Sequence, residues 1–343
     1  MSGASGAIGA TGATKPQIAV LIPEVTWLQV ISPAAANQLE SAGRLLRPDV
    51  KDEAQVRDAL AQAEVALTGW KCPRLTADLL AAAPHLRLIA HTAGSVKGLI
   101  DATAWQRGIA VSHAANLIAD AVAEMCLALE LLCLRRIHEL DRGMREGKTW
   151  DQLREWPGEL LRGKRIGLVG CGYVARKHVH LLKAFGGEIS VYDPYLSDEA
   201  AADLGVRKAG LDTIFGRSKV VSNHAPITPE TKGLIGKAQL AALLPGSVFV
   251  NTARAYTVDY GALLDELRTG RFYAALDVFE KEPLPADSPF FDLPNVVLTP
   301  HAAGHSEDSH LAQGQAMVNE IQRFLSGEPL RYQVTKEQLA IMA

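Results

Sequence analysis

Apolar residues in the first third of the chain come in short runs, separated by stretches with helical spacing. Runs at 18–22, 65–68, 86–92 and 109–113 are each the right length for one buried strand. The spacing between them predicts helices near 34–42, 53–63 and 75–83, the last of them ended by Pro84. Alternating strand and helix implies a parallel sheet covered by helices. From about 117 to 146 the pattern changes. Val122, Met125, Leu129, Leu132 and Ile137 form one stripe, which predicts a single long helix that bridges domains or packs on a second subunit. Alternation then resumes, with strands expected at 165–169, 189–192, 220–223, 248–252, 274–278 and 296–298 and an amphipathic helix over 307–326.

Two α/β units fit comfortably in 343 residues. Composition narrows the class further. With 35 Lys and Arg against 38 Asp and Glu, the net charge is −3 and no basic block suggests a nucleic-acid surface. Arg135 and Arg136, set among apolar residues, are expected to face water. Cys72, Cys126, Cys133 and Cys171 form no CxxC pair and read as reduced, mostly buried thiols; for Cys126 and Cys133 core packing is expected, and no metal site. Residues 1–16 lack the basic start and long apolar core of a signal peptide and are expected to be a flexible leader. The most apolar stretch, 117–134, is interrupted by Asp120, Glu124 and Glu130, so no membrane span is expected and the location is read as cytoplasmic.

The first candidate for chemistry lies at residues 166–175, Ile-Gly-Leu-Val-Gly-Cys-Gly-Tyr-Val-Ala. An apolar strand runs into a glycine-rich turn and then a helix. Gly170 permits the tight turn, Gly172 lets a pyrophosphate approach the backbone, and Ala175 is small enough for helix–strand packing. Free N–H groups at the helix start would face the phosphates. Asp193 closes the next strand, 23 positions after Gly170, where a carboxylate accepts hydrogen bonds from the ribose hydroxyls and repels a 2′-phosphate. NAD is therefore expected as the cofactor, rather than NADP.

Three later strands end on charged groups. One runs into Arg254, one into the acidic stretch that holds Glu282, and one into His301. The carboxyl ends of strands are where ligands bind in open α/β sheets. Arg254 suits a substrate carboxylate. His301 suits proton transfer at a carbonyl oxygen, and Glu282 suits orienting the ring and favouring its charged form. Each residue alone has a plain alternative, as a surface ion pair, a solvated turn or an ordinary histidine. His178 and His180, two apart on a helix, do not share a face and make a poor metal pair.

The stretches GLVGCGYVA, VYDPY, NHAPITPETKGLI, FVNTARAYTVDYGALLDEL, AALDVFEKEPL and LTPHAAGH, together with LRLIAHTAGSVKGLID and NLIADAVAEM, resemble the D-isomer-specific 2-hydroxyacid dehydrogenase family over roughly residues 60–325. The resemblance implies a Rossmann NAD-binding domain, at 115–307, inserted in a flavodoxin-like α/β substrate domain made of 17–114 and 308–334. It implies a homodimer packed through the helical region at 117–146. It also implies hydride transfer between NAD(H) and C2 of a D-2-hydroxy acid or 2-oxoacid, with Arg254, Glu282 and His301 as the catalytic trio. Cofactor contacts are implied at Gly170, Gly172, Tyr173, Val174, Asp193, His224, Ala225, Pro226, Thr231, Thr252, Ala253, Arg254, Asp277, His301 and Gly304. Gly94, Ser95 and Val96 are implied to bind the substrate carboxylate, together with Arg254.

The chain departs from the family pattern at Ala255, where Gly is usual after the arginine, at Val96, where Gly is usual, and at Gly98, where Asp is usual. The last two sit in the substrate loop and put the usual substrates in doubt. Two alternatives share the fold. Formate dehydrogenases pair their histidine with Gln, against Glu282 here. NAD-sensing interaction proteins like the C-terminal-binding-protein corepressors keep the same trio.

Overall fold

The computed structural model describes residues 15–155 and 157–342; the expected leader therefore lies, apart from its last two residues, outside the described residues. The chain divides into two units. The first contains the chain up to Thr92, Gly98–His113 and Gly314–Val334; the second contains Ala93–Lys97, Ala114–Gln313 and Thr335 onward. One boundary falls inside the helix Glu307–Leu325, so its first turns belong to the second unit.

In the first unit, strands β1 (Gln17–Val20), β2 (Arg44–Leu46), β3 (Val65–Thr68), β4 (Leu88–His91) and β5 (Ala110–His113) form one parallel sheet in the order β2-β1-β3-β4-β5. That is the flavodoxin-like winding. β3 and β4 are buried throughout, which is why their residues are almost all apolar. The edge strand β2 reads Arg-Leu-Leu and is partly exposed, so it leaves no apolar run to predict it. Helices start where side chains satisfy their free N–H groups. Ser32 accepts from Ala35 N ahead of Pro33, and Asp52 accepts from Ala54 and Gln55. Buried Glu320 takes the hydroxyl of Ser112 and the backbone N–H groups of Arg331 and Tyr332, which pins the returning chain to this unit.

In the second unit, strands β6 (Arg165–Val169), β7 (Glu188–Tyr192), β8 (Arg207–Lys208), β9 (Val220–Asn223), β10 (Val248–Asn251), β11 (Tyr273–Leu276) and β12 (Val296–Leu298) make a parallel sheet in the order β12-β11-β10-β9-β6-β7-β8. This is a Rossmann-like, doubly wound sheet whose strand order reverses between β6 and β9. In such sheets ligands bind outside the carboxyl ends of the strands at the switch point, and the glycine-rich turn follows β6. Gly167 in β6 faces Ile214 so closely that a Cβ would lie 2.6 Å from that side chain, so its glycine serves packing.

The expected single helix over 117–146 is two helices, Ala115–Leu134 and Ile137–Arg145. Arg136 between them has φ +55, a left-handed conformation that α-helix cannot propagate. Its side chain pairs with Glu139 and is half-buried, so the expectation that it simply faces water does not hold. Among the described residues, no helix is long and apolar enough to cross a membrane.

Gly314 tests the packing of the first unit. In the middle of a helix, Gly→Ala normally stabilises by ~1 kcal/mol. Here a Cβ would sit 1.6 Å from the carbonyl oxygen of Val30. The clash outweighs the propensity, so Gly314→Ala is expected to lower unfolding free energy by ~3 kcal/mol. Denaturant titration checks this; a midpoint equal to or above wild type would contradict the close approach.

Candidate active site

The strand ends of the second unit carry most of the expected site. β6 leads into Gly170, whose φ of +93 and whose position would bring a Cβ 2.7 Å from the His224 carbonyl oxygen. A larger residue is excluded there both by conformation and by backbone contact. Gly172 then caps the helix Tyr173–Leu182, and no side chain caps that helix start. A Cβ at Gly172 would meet nothing within 4 Å, which leaves the open approach a diphosphate needs. Tyr173 is exposed, Val174 half-buried and Ala175 buried.

Asp193 follows β7 and is oriented by the same turn. One carboxylate oxygen accepts from Cys171 N at 2.7 Å and the other from Tyr195 N at 2.8 Å. Each oxygen keeps a lone pair for a further donor such as a ribose hydroxyl. Open turn, uncapped helix start and oriented acid together fit a dinucleotide.

His224, Ala225 and Pro226 follow β9. Asn223 Oδ1 accepts from Ala225 N, and Thr231 donates its hydroxyl to the Pro226 carbonyl at 2.6 Å, which folds this loop back on itself. Thr252, Ala253 and Arg254 follow β10, with Ala253 N donating to Asn251 Oδ1. Gly304 lies against Ile118, where a Cβ would come within 3.1 Å of the isoleucine side chain.

Arg254, Glu282 and His301 line one cleft of about 460 Å³, with Ile227, Tyr256 and Phe279 among its other walls. His301 Nδ1 lies 2.7 Å from Glu282 Oε2, and Glu282 Oε1 accepts from Phe279 N at 2.9 Å. Burial raises the Glu282 pKa, but the His301 hydrogen bond, the Phe279 N–H and the nearby charges outweigh it and leave it below the usual value. The carboxylate is therefore ionised at neutral pH, and the pairing is lost only as pH falls through that lowered value. Burial also lowers the Arg254 pKa, against the pull of Glu282, yet an arginine remains cationic. Its Nη1 donates to the Ala253 carbonyl at 2.7 Å.

His301 has φ +52, a strained conformation for a non-glycine residue. Asp277, wholly buried, holds it there. The Asp277 carboxylate accepts from the Thr299 hydroxyl at 2.6 Å, Ala302 N at 2.8 Å and Ala303 N at 3.0 Å, while its carbonyl accepts from His301 N at 2.8 Å. The resemblance implies an NAD contact at Asp277; its visible work is to anchor this turn. That role was invisible in the sequence, because an acid inside an apolar strand does not announce the turn 22 residues on that it holds.

Gly94 and Ser95 are partly exposed, whereas Val96 is wholly buried. Sequence reasoning also passed over Lys97. Its ammonium donates to the carbonyl of Ile227, a cleft-wall residue, at 2.7 Å and to that of Met342 at 2.8 Å, and burial lowers its pKa. A lone cation in a glycine-containing apolar loop was the available signal. His178 and His180 do not share a face, as their spacing predicts: His180 is exposed and His178 buried.

The sequence profile described as D-isomer specific 2-hydroxyacid dehydrogenase, NAD binding domain, matches residues 127–303. The chain belongs to this family. It is 37% identical over 259 residues to a D-3-phosphoglycerate dehydrogenase of Archaeoglobus fulgidus, covering 75% of this chain and 49% of the relative. It is 34% identical over 261 residues to a glyoxylate reductase of Aeropyrum pernix, covering 74% and 78% respectively. The structure is similar to that of the TT0316 protein from Thermus thermophilus, with a TM-score of 0.77, 28% identity and coverage of 93% and 99%. The chain spans about half the length of the phosphoglycerate dehydrogenase it matches. The cofactor of this domain family is NAD, which the turn and Asp193 fit.

Asp277→Asn replaces an acceptor of three donors by a group that must turn an NH₂ toward one of them. The expected cost is about 2–4 kcal/mol of folding stability. Chemical denaturation measures it, and a variant as stable as wild type would remove Asp277 as the anchor of the His301 turn.

Proposed function

We propose that this family member is an NAD-dependent oxidoreductase that moves a hydride between the nicotinamide and C2 of a small D-2-hydroxy acid or 2-oxoacid. The observation that carries the reading is the 2.7 Å pairing of His301 with an ionised Glu282 in the cleft that also holds Arg254. The likeness to a glyoxylate reductase supports a 2-oxoacid as the substrate class.

Bound NAD supplies or accepts the hydride. The residues proposed to hold it are Gly170, Gly172, Tyr173 and Val174 at the turn, Asp193 at the ribose, His224, Ala225, Pro226 and Thr231 on the loop after β9, Thr252, Ala253 and Arg254 after β10, and Asp277, His301 and Gly304 beyond β11. The backbone N–H groups of Gly94, Ser95 and Val96 bind the substrate carboxylate, with the Arg254 guanidinium offering a fork of donors. In reduction, His301 gives a proton from Nε2 to the carbonyl oxygen while Glu282 accepts from Nδ1–H and fixes the ring. In oxidation the same nitrogen takes the proton back.

Assembly as a homodimer is part of the reading. Ile137, Leu140 and Met144 are exposed at helical spacing in the helix Ile137–Arg145, and Trp150 and Leu160 are exposed further along the chain; exposed apolar residues of this kind suit contact with a second copy. The free thiols suit a reducing, cytoplasmic compartment, and the near-neutral surface gives no support to a nucleic-acid partner.

Initial rates with NADH and with NADPH, across glyoxylate, hydroxypyruvate, pyruvate and larger 2-oxoacids, test this function. At least one 2-oxoacid is expected to be reduced, with a preference for NADH of about tenfold or more, roughly 1.4 kcal/mol at the ribose. NADH binding with no turnover of any substrate would favour an NAD-sensing protein instead.

A further inference from the structure

The second unit holds another cluster of ionisable groups, and the proposed hydride transfer leaves most of it unused. Cys126 and Glu130 lie four apart on the helix Ala115–Leu134, on one buried face. His178 comes from the helix Tyr173–Leu182, and His224 from the chain just after β9. Cys126, Glu130 and His178 are all wholly buried. His178 Nδ1 lies 3.3 Å from His224 Nε2, with the rings edge to face. Its Nε2 lies 3.3 Å from Glu130 Oε1 but without hydrogen-bond geometry. That nitrogen and both Glu130 oxygens are buried with no hydrogen-bond partner among the described residues. A buried carboxylate in that condition is costly, and a positive charge nearby is what would relieve it.

We propose that Cys126, His178 and His224 form a binding site for one divalent cation of the zinc class, with Glu130 as the outer carboxylate on His178. The sulfur and one nitrogen from each imidazole lie within 4.8 Å of one another. Tetrahedral zinc with bonds of ~2.0–2.1 Å sets two nitrogen ligands roughly 3.3 Å apart, which matches the two histidines. The thiol sits 3.0 Å from the Thr252 hydroxyl, and its sulfur lies no more than 4.8 Å from a ring nitrogen of each histidine. Sulfur plus imidazole is the donor set that borderline-soft cations select. A carboxylate on the far nitrogen of a metal-bound histidine is the usual outer partner.

Charge balance agrees. A dication with one thiolate and one carboxylate is neutral, which suits a site whose thiol, carboxylate and first imidazole are wholly buried while His224 is half-buried. Burial holds His224 well below its ordinary pKa, so the ring is neutral and free to ligate. Burial pushes the Cys126 thiol up to about 12; a bound cation displaces that proton, which leaves to solvent as the metal–sulfur bond forms. Three protein ligands leave a fourth position for water. The cation would tie together two helices and the loop after β9, beside the segment proposed to contact NAD. Spacing along the chain concealed this site because its members come from three separate segments.

Cobalt(II) titration of the full, chelator-treated chain tests the proposal without reference to turnover. One equivalent is expected to bind with a thiolate-to-cobalt charge-transfer band and tetrahedral visible bands, and zinc should displace it. Cys126→Ser should abolish the charge-transfer band. Glu130→Gln, nearly the same in shape, should weaken binding by about 10- to 100-fold while keeping the band. Absence of the band in wild type, its persistence in Cys126→Ser, or unchanged affinity in folded Glu130→Gln would each overturn the assignment.

Discussion

The placement of His301 at the candidate active site depends on one buried carboxylate. Asp277 directly follows β11 in the second unit and gathers the Thr299 hydroxyl and two backbone N–H groups from the turn beyond β12. An isolated buried charge would be costly, but three donors convert it into an anchor. That anchor keeps His301 in a left-handed conformation that an unconstrained histidine rarely adopts. With the backbone so fixed, the ring meets Glu282, and Phe279 N in turn holds Glu282. Strain at His301, the proposed proton donor, is thus balanced by hydrogen bonding one layer beneath it.

The cofactor side rests on a different constraint, close approach of backbone to backbone. Gly170 passes so near the chain after β9 that only hydrogen fits, and Asp193 accepts from the turn it serves. Turn, Asp193 and the loop after β9 are therefore a single assembly. Placing it where the strand order reverses sets it at the carboxyl ends of the sheet, the same edge from which Arg254, Glu282 and His301 emerge.

Central strands were legible in the sequence. β3, β6 and β9 occupy the residues their apolar runs predict, because strands buried on both faces must be apolar. The edge strands β2 and β8 were not, being two or three residues long and partly or fully exposed. The break at Arg136 was hidden because the apolar stripe continues through it. At the site, the charges at the strand ends were legible one by one, and family resemblance was needed to link them. The anchoring by Asp277, the reach of Lys97 to Ile227 and the meeting of Cys126, His178 and His224 all join residues far apart in sequence, and local pattern carries no trace of such contacts.

The central claim is that His301, held by Asp277 and paired with Glu282, is the proton donor for hydride transfer to a 2-oxoacid. Its most direct test is turnover of His301→Ala beside its NADH affinity, the latter from fluorescence titration. Turnover is expected to fall by about 10²–10⁴-fold, a far larger loss than any in NADH affinity. Wild-type turnover in a folded variant that still binds NADH would contradict the account.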